Sequence, residues 1–171
     1  MTGTQPLRDE HAELVPHIQA LATAGDAVGT AEPAELDRLV HDSYHFLAHQ
    51  LIPHAHAEEA ALYPAVQRAV GAPEMTATMS RDHVEVQALT DELGALRHHL
   101  VEGGALDDAT ARALRRVLYG LHHLVKVHFA KEEEIYLPIL EAHLTEDNLT
   151  DLFAEMAAAA GHAHHHDHQP A

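Results

Sequence analysis

The chain has 171 residues, with 10 Lys and Arg against 27 Asp and Glu, 19 histidines and no cysteine. That length fits one domain with a sizeable core, and the missing cysteine excludes disulfides, thiolate ligands and cysteine-held iron–sulfur clusters. A formal charge of −17 with neutral histidines argues against nucleic acid or an anionic membrane surface as partner.

The amino-terminal MTGTQPLRDEHAEL lacks the basic and apolar regions of a secretory signal. No run approaches the ~20 apolar residues of a membrane span, so the expected location is cytoplasmic. Glycine and proline separate long helical patterns, and no run alternates as a strand would. A first helix is predicted from Leu7 to about Ala24, stopped by Gly25. At about 100° per residue, its His11 shares a face with Leu7, Leu14, Val15 and Ile18, whereas His17 does not. A second helix is predicted from Ala34 to about Leu62, bent where Pro53 interrupts its hydrogen-bond ladder. Leu36, Val40, Leu47, Leu51, Glu58, Ala61 and Leu62 lie within about 80° of His54 on it. His41, His45 and His49 lie about 140–180° away, as a solvated stripe.

A short helical piece follows Pro64 and stops near Gly71. The third helix is predicted from about Glu74 to Val101, with His83 among Met79, Val86, Thr90 and Val101. The fourth runs from about Asp108 to Leu137. It places His128 and Glu132 with Leu114, Val117, Leu118, Leu121, Leu124, Val125 and Ile135, and His122 and His123 to the flanks. A weaker helix, about Glu146 to Ala159, precedes a low-complexity histidine-rich tail. The expected architecture is all-α: an antiparallel up-down-up-down four-helix bundle over residues 1–160, with a short extra C-terminal helix and a disordered tail over residues 161–171.

Two segments repeat one chemistry: His54-Ala-His-Ala-Glu58-Glu59-Ala-Ala-Leu-Tyr-Pro64 and His128-Phe-Ala-Lys-Glu132-Glu133-Glu-Ile-Tyr-Leu-Pro138. In each, a histidine and a glutamate four residues apart lie one turn apart on one helix face. With His11 and His83, four helices each place a histidine on an apolar stripe, joined by two carboxylates. Burying six ionisable groups together is costly unless they pair or coordinate metal. The candidate metal ligands are therefore His11, His54, Glu58, His83, His128 and Glu132. Glu59 and Glu133 fall about 140° from their histidines and are expected to neighbour ligands or to lie on the surface. Gln87, four residues after His83, could bind metal weakly, orient a ligand or water, or mark an open coordination side; Gln50 and Thr90, on the ligand faces, are candidates to support the ligands, with ordinary buried polar residues bonded to backbone as the alternative. No Ser/His/Asp set, P-loop or dinucleotide motif is present, which argues against hydrolase or nucleotide chemistry.

The order H…HxxxE…H…HxxxE, the doubled glutamates and the following prolines resemble the hemerythrin-like family, also called the HHE cation-binding domain, over about Leu7 to Leu140. The resemblance implies a non-haem centre of two iron ions, bridged by Glu58, Glu132 and an oxo or hydroxo group. His11 and His54 would belong largely to one half and His83 and His128 to the other. Oxygen carriers of this family have a fifth histidine where this chain has Gln87. An open position there favours redox chemistry with peroxide, catalase-like or peroxide-reducing, with O2, H2O2 or nitric oxide as the small ligand. The alternatives are an O2, nitric oxide or iron sensor, carrier or storage module without turnover, and a zinc or manganese protein using the same ligands structurally.

Overall fold

The computed structural model describes residues 3–163. The described residues form five helices joined by short turns, one of them a single 3-10 turn over Pro73–Thr76, and no strand. We number them α1 (Gln5–Ala27), α2 (33–70), α3 (Ala77–Val101), α4 (108–143) and α5 (Glu146–Ala163). No described helix is long and apolar enough to cross a membrane. The tail expected to be disordered lies outside the described residues from position 164 onward.

α1 does not stop at Gly25. That glycine is buried against the Tyr119 ring, where a Cβ would sit 3.0 Å from the nearest ring carbons, so it permits close helix packing. The chain reverses instead at Gly29, with φ of 76°, a conformation glycine adopts without steric cost. Tyr44 fills the equivalent space over Gly94 of α3. α4 opens on Asp107, whose carboxylate accepts from the Thr110 amide at 2.8 Å, a favourable N-cap.

α2 and α4 are longer than their proline punctuation suggests. Pro53, Pro64 and Pro138 are each preceded by a π-turn, over Leu47–Leu51, Glu58–Leu62 and Glu132–Tyr136. Ile52, Tyr63 and Leu137, the residues just before the prolines, donate five residues back to Leu47, Glu58 and Glu132. The wider turn absorbs the missing proline donor, so each helix continues through it. The turn also shifts which face its residues present: Ile135, placed with His128 by uniform 100° steps, is exposed. Val15 at the stripe's edge and Val101 in the last turn of α3 are exposed too.

α1 packs on α2 and α4, and α3 packs on α2 and α4, while α5 lies across residues 52–62 of α2. Two apolar clusters result. One holds Leu14, Ile18, Leu51, Val86, Leu121 and Val125; the other holds Leu7, Ala61, Met79, Tyr136 and, from α5, Leu149, Leu152 and Met156. His11, His54, His83 and Glu132 fall between them in sequence, while Glu58 follows Ala57 of the second cluster and His128 precedes Phe129 of the first. Along α1 and α3 the chain passes from the second cluster to the first, and along α2 and α4 from the first to the second. Leu121 is fully buried in the first cluster; Leu121→Ala should cost about 2–5 kcal/mol of stability, read from urea or thermal unfolding.

Candidate metal centre

The six side chains converge on one buried space. Glu58 and Glu132 are completely buried and His11, His54 and His128 nearly so, while His83 is slightly exposed. Glu58 Oε1 lies 2.9 Å from His54 Nε2 and 3.8 Å from His11 Nε2. Its other oxygen lies 3.2 Å from His83 Nε2 and 3.9 Å from His128 Nε2. Glu132 repeats the arrangement, with Oε2 3.5 Å from His11 Nε2 and Oε1 3.3 Å from His128 Nε2. Glu58 thus turns one oxygen toward His11 and His54 and the other toward His83 and His128, and Glu132 turns one toward His11 and the other toward His128. Two overlapping ligand groups result: His11, His54, Glu58 and Glu132, and Glu58, His83 and His128.

The outer nitrogen of every histidine is held by a carboxylate from a neighbouring helix. Glu10 of α1 takes His54 Nδ1 at 2.9 Å, and Glu59 of α2 takes His83 Nδ1 at 2.9 Å. Asp82 of α3 takes His128 Nδ1 at 3.1 Å, and Glu133 of α4 takes His11 Nδ1 at 2.8 Å. The four pairs close a ring around the helices. A carboxylate accepts, so each Nδ1 carries the proton and each Nε2 faces inward, the tautomer a metal-binding imidazole requires. Sequence reasoning left Glu59 and Glu133 between two roles and missed Glu10 and Asp82. The available signal was an acid directly beside each ligand: Glu10-His11, Glu58-Glu59, Asp82-His83, Glu132-Glu133.

Two further residues were missed. The Tyr63 hydroxyl donates to Glu132 Oε1 at 2.9 Å and lies 3.3 Å from His83 Nε2 and 3.2 Å from His128 Nε2. Phe129 stacks on His11 with ring centroids 4.1 Å apart and walls that side with hydrocarbon. The residues proposed to orient ligands do not face the cluster in the same way. The Gln87 amide donates to Asp91 at 2.9 Å on the exposed flank. Thr90 is buried, but its hydroxyl donates to the Val86 carbonyl at 2.8 Å. Gln50 is exposed, and it borders a separate pocket with His17 and Phe46. His41, His45 and His49 are exposed, whereas His122 is buried with Nδ1 2.9 Å from the Ile18 carbonyl.

The family model described as the hemerythrin HHE cation binding domain matches residues 2–140. The chain belongs to this family. No curated protein and no solved structure matched in the corresponding comparisons.

The polar atoms of this hemerythrin-like protein test whether a metal fits. His11 Nε2, His54 Nε2, both oxygens of Glu58 and Glu132 Oε2 are buried without a hydrogen-bond partner. Buried polar atoms are ordinarily paired, and these five all face the shared space. Across it the His83 and His128 Nε2 atoms approach to 3.0 Å. Imidazole and carboxylate donors in this number suit a borderline divalent cation or redox-active iron.

Protons hold the cluster together when no cation does. Burial opposes charge on His54, but the Glu58 carboxylate overrides it and holds the imidazole pKa well above 6.5. His128, opposed by burial and supported by Glu132 and Glu58, is pushed up to about 10. Glu58 is held well below the ordinary carboxylate range, against burial, by His54 and its other imidazole neighbours. Burial and the adjacent Glu58 charge raise Glu132. Since raised histidines stabilise the fold in protonated form, the metal-free contribution is complete below 6.5 and lost as pH climbs through about 10. The Glu58 contribution has the opposite sign and is lost as pH falls below 4.5. Metal must displace the histidine protons. Zinc affinity of the metal-free protein should therefore rise with pH between 6.5 and about 10, with proton release measurable by titration calorimetry in buffers of different ionisation enthalpy. Asp82→Asn, which weakens the hold on His128, should lower that affinity about 10–100-fold.

Proposed function

We propose that the cluster holds two iron ions, on an antiparallel up-down-up-down four-helix bundle, and that it reacts with peroxide. The alternating order of the two apolar clusters along α1 to α4 supports the bundle. Glu58 and Glu132, each with one oxygen toward either half, would bridge the irons. His11 and His54 would complete one half, His83 and His128 the other. Such a pair supplies one-electron redox chemistry toward a small oxygen or nitrogen ligand.

The observation that carries the peroxide reading is Tyr63. Where the family's oxygen carriers place a further imidazole from the third helix, Gln87 bonds Asp91, and a tyrosine hydroxyl from α2 reaches the His83–His128 half instead. That hydroxyl holds a proton against Glu132 Oε1. Peroxide disproportionation moves protons between two oxygens, and a positioned O–H donor beside the reacting space serves that transfer. Phe129 and the surrounding apolar side chains exclude water, and the outer carboxylates fix each imidazole.

The test is oxygen evolution from hydrogen peroxide, normalised per iron pair, together with stopped-flow spectra of the reduced protein mixed with oxygen. Peroxide decomposition and rapid oxidation are expected. A protein that keeps oxygen bound for minutes and leaves peroxide untouched is a carrier or sensor.

A further inference from the structure

The stripe of His41, His45 and His49 on α2 has no part in the metal centre. All three are exposed, and among the described residues no hydrogen bond or ion pair occupies any of their ring nitrogens. Other histidines outside the centre are tied down. His122 bonds the Ile18 carbonyl and His143 the Ile139 carbonyl through Nδ1, and His17 stacks on Phe46 with centroids 5.0 Å apart.

The stripe is not evenly spaced. His41 and His45 lie on one regular α-turn, with ring centroids 6.3 Å apart. His45 and His49 span the entry to the π-turn over Leu47–Leu51, and their centroids are 4.7 Å apart with ring planes at 50°. With about 2.1 Å from metal to each nitrogen, two imidazoles on one ion hold their ring centres roughly 4.5–5 Å apart. Of the two pairs, only His45 and His49 stand at that separation.

We infer that His45 and His49 form a second metal site, on the surface, that chelates a late first-row divalent cation: nickel(II), copper(II) or zinc(II). Imidazole suits these ions, and they bind nitrogen donors more tightly than ferrous iron does. The helix holds both rings in place before the ion arrives. The second nitrogen therefore binds intramolecularly and tightens the site about 100-fold over a single imidazole. The formal charge of −17 draws cations toward such an exposed site. Two donors leave the remaining coordination positions to water, so the ion exchanges freely, unlike one held in the buried six-donor cluster. Ferrous iron is the weakest occupant and is lost on desalting, so iron content still reports the buried centre alone. The inference does not depend on what that centre holds.

The experiment titrates nickel(II) into the full-length chain and follows the carbethoxylation of each histidine by diethylpyrocarbonate, read residue by residue from peptide masses. Nickel held elsewhere in the chain does not enter that readout. His45 and His49 should be protected together, at one nickel concentration, while His56, exposed on the same helix, stays reactive. His49→Ala should raise the nickel needed to protect His45 about 100-fold, and His45→Ala should do the same for His49. His41→Ala should leave both midpoints where they are. All these positions are exposed, so the substitutions leave the fold intact. Reactivity of His45 and His49 that nickel does not change, even in the millimolar range, overturns the inference. So do equal protection of His56, protection of His45 that survives His49→Ala unshifted, or equal loosening by His41→Ala.

Discussion

Glu58→Ala is expected to empty the centre. Each Glu58 oxygen faces a different pair of histidines, so one substitution removes a donor from both halves. Iron content should fall from two per chain, the complement of a carboxylate-bridged bundle site, to near none, measured by elemental analysis after loading and desalting. Glu132→Ala should act in the same direction. The metal-free variant should also be weakened, because protonated His54 and His128 lose their buried counter-charge. Breaking such a pair costs about 3–5 kcal/mol, and thermal unfolding would register it. His41→Ala and His49→Ala remove exposed imidazoles and should leave iron content unchanged. Equal metal loss from the outward and inward substitutions would contradict this site.

Tyr63→Phe is expected to separate metal binding from reactivity. The ring is fully buried, stacked on His83 at 5.4 Å between centroids, and phenylalanine keeps that packing. Only the hydroxyl that bonds Glu132 is lost. Iron content and melting temperature should stay near wild type. Oxygen evolution from peroxide per iron pair should drop about 100-fold or more, the scale of a lost positioned proton donor. Unchanged peroxide turnover would remove Tyr63 from the reaction, and with it the observation that favours peroxide over reversible oxygen binding.

Much of this was legible in the sequence because helix periodicity is local. Uniform 100° steps put His11, His54, His83 and His128 on buried stripes and left His41, His45 and His49 outside, and the structure places them so. What periodicity cannot give is the partner across a helix interface. Glu10 and Asp82 sit beside ligands of their own helix but bond histidines of the next one, so their role depends on packing. Tyr63 was hidden for a different reason. It comes directly after the π-turn over Glu58–Leu62, which rotates the chain off the uniform step and carries the hydroxyl back to Glu132. The same kind of turn sends Ile135 outward, against expectation. Gln87 stands at ligand spacing and Thr90 two turns from His83 on the same helix, yet Asp91 and the Val86 carbonyl satisfy them locally, a competition that spacing alone cannot reveal. Gly25 looked like a helix stop, but it accommodates Tyr119 inside α1.

Metal analysis of the protein as isolated, with its optical spectrum, tests the central claim most directly. Two irons per chain and near-ultraviolet charge-transfer bands from an oxygen-bridged ferric pair are expected, both abolished in Glu58→Ala. A protein that carries zinc, or one metal ion, or none after loading with ferrous iron, and shows no such bands, would contradict it.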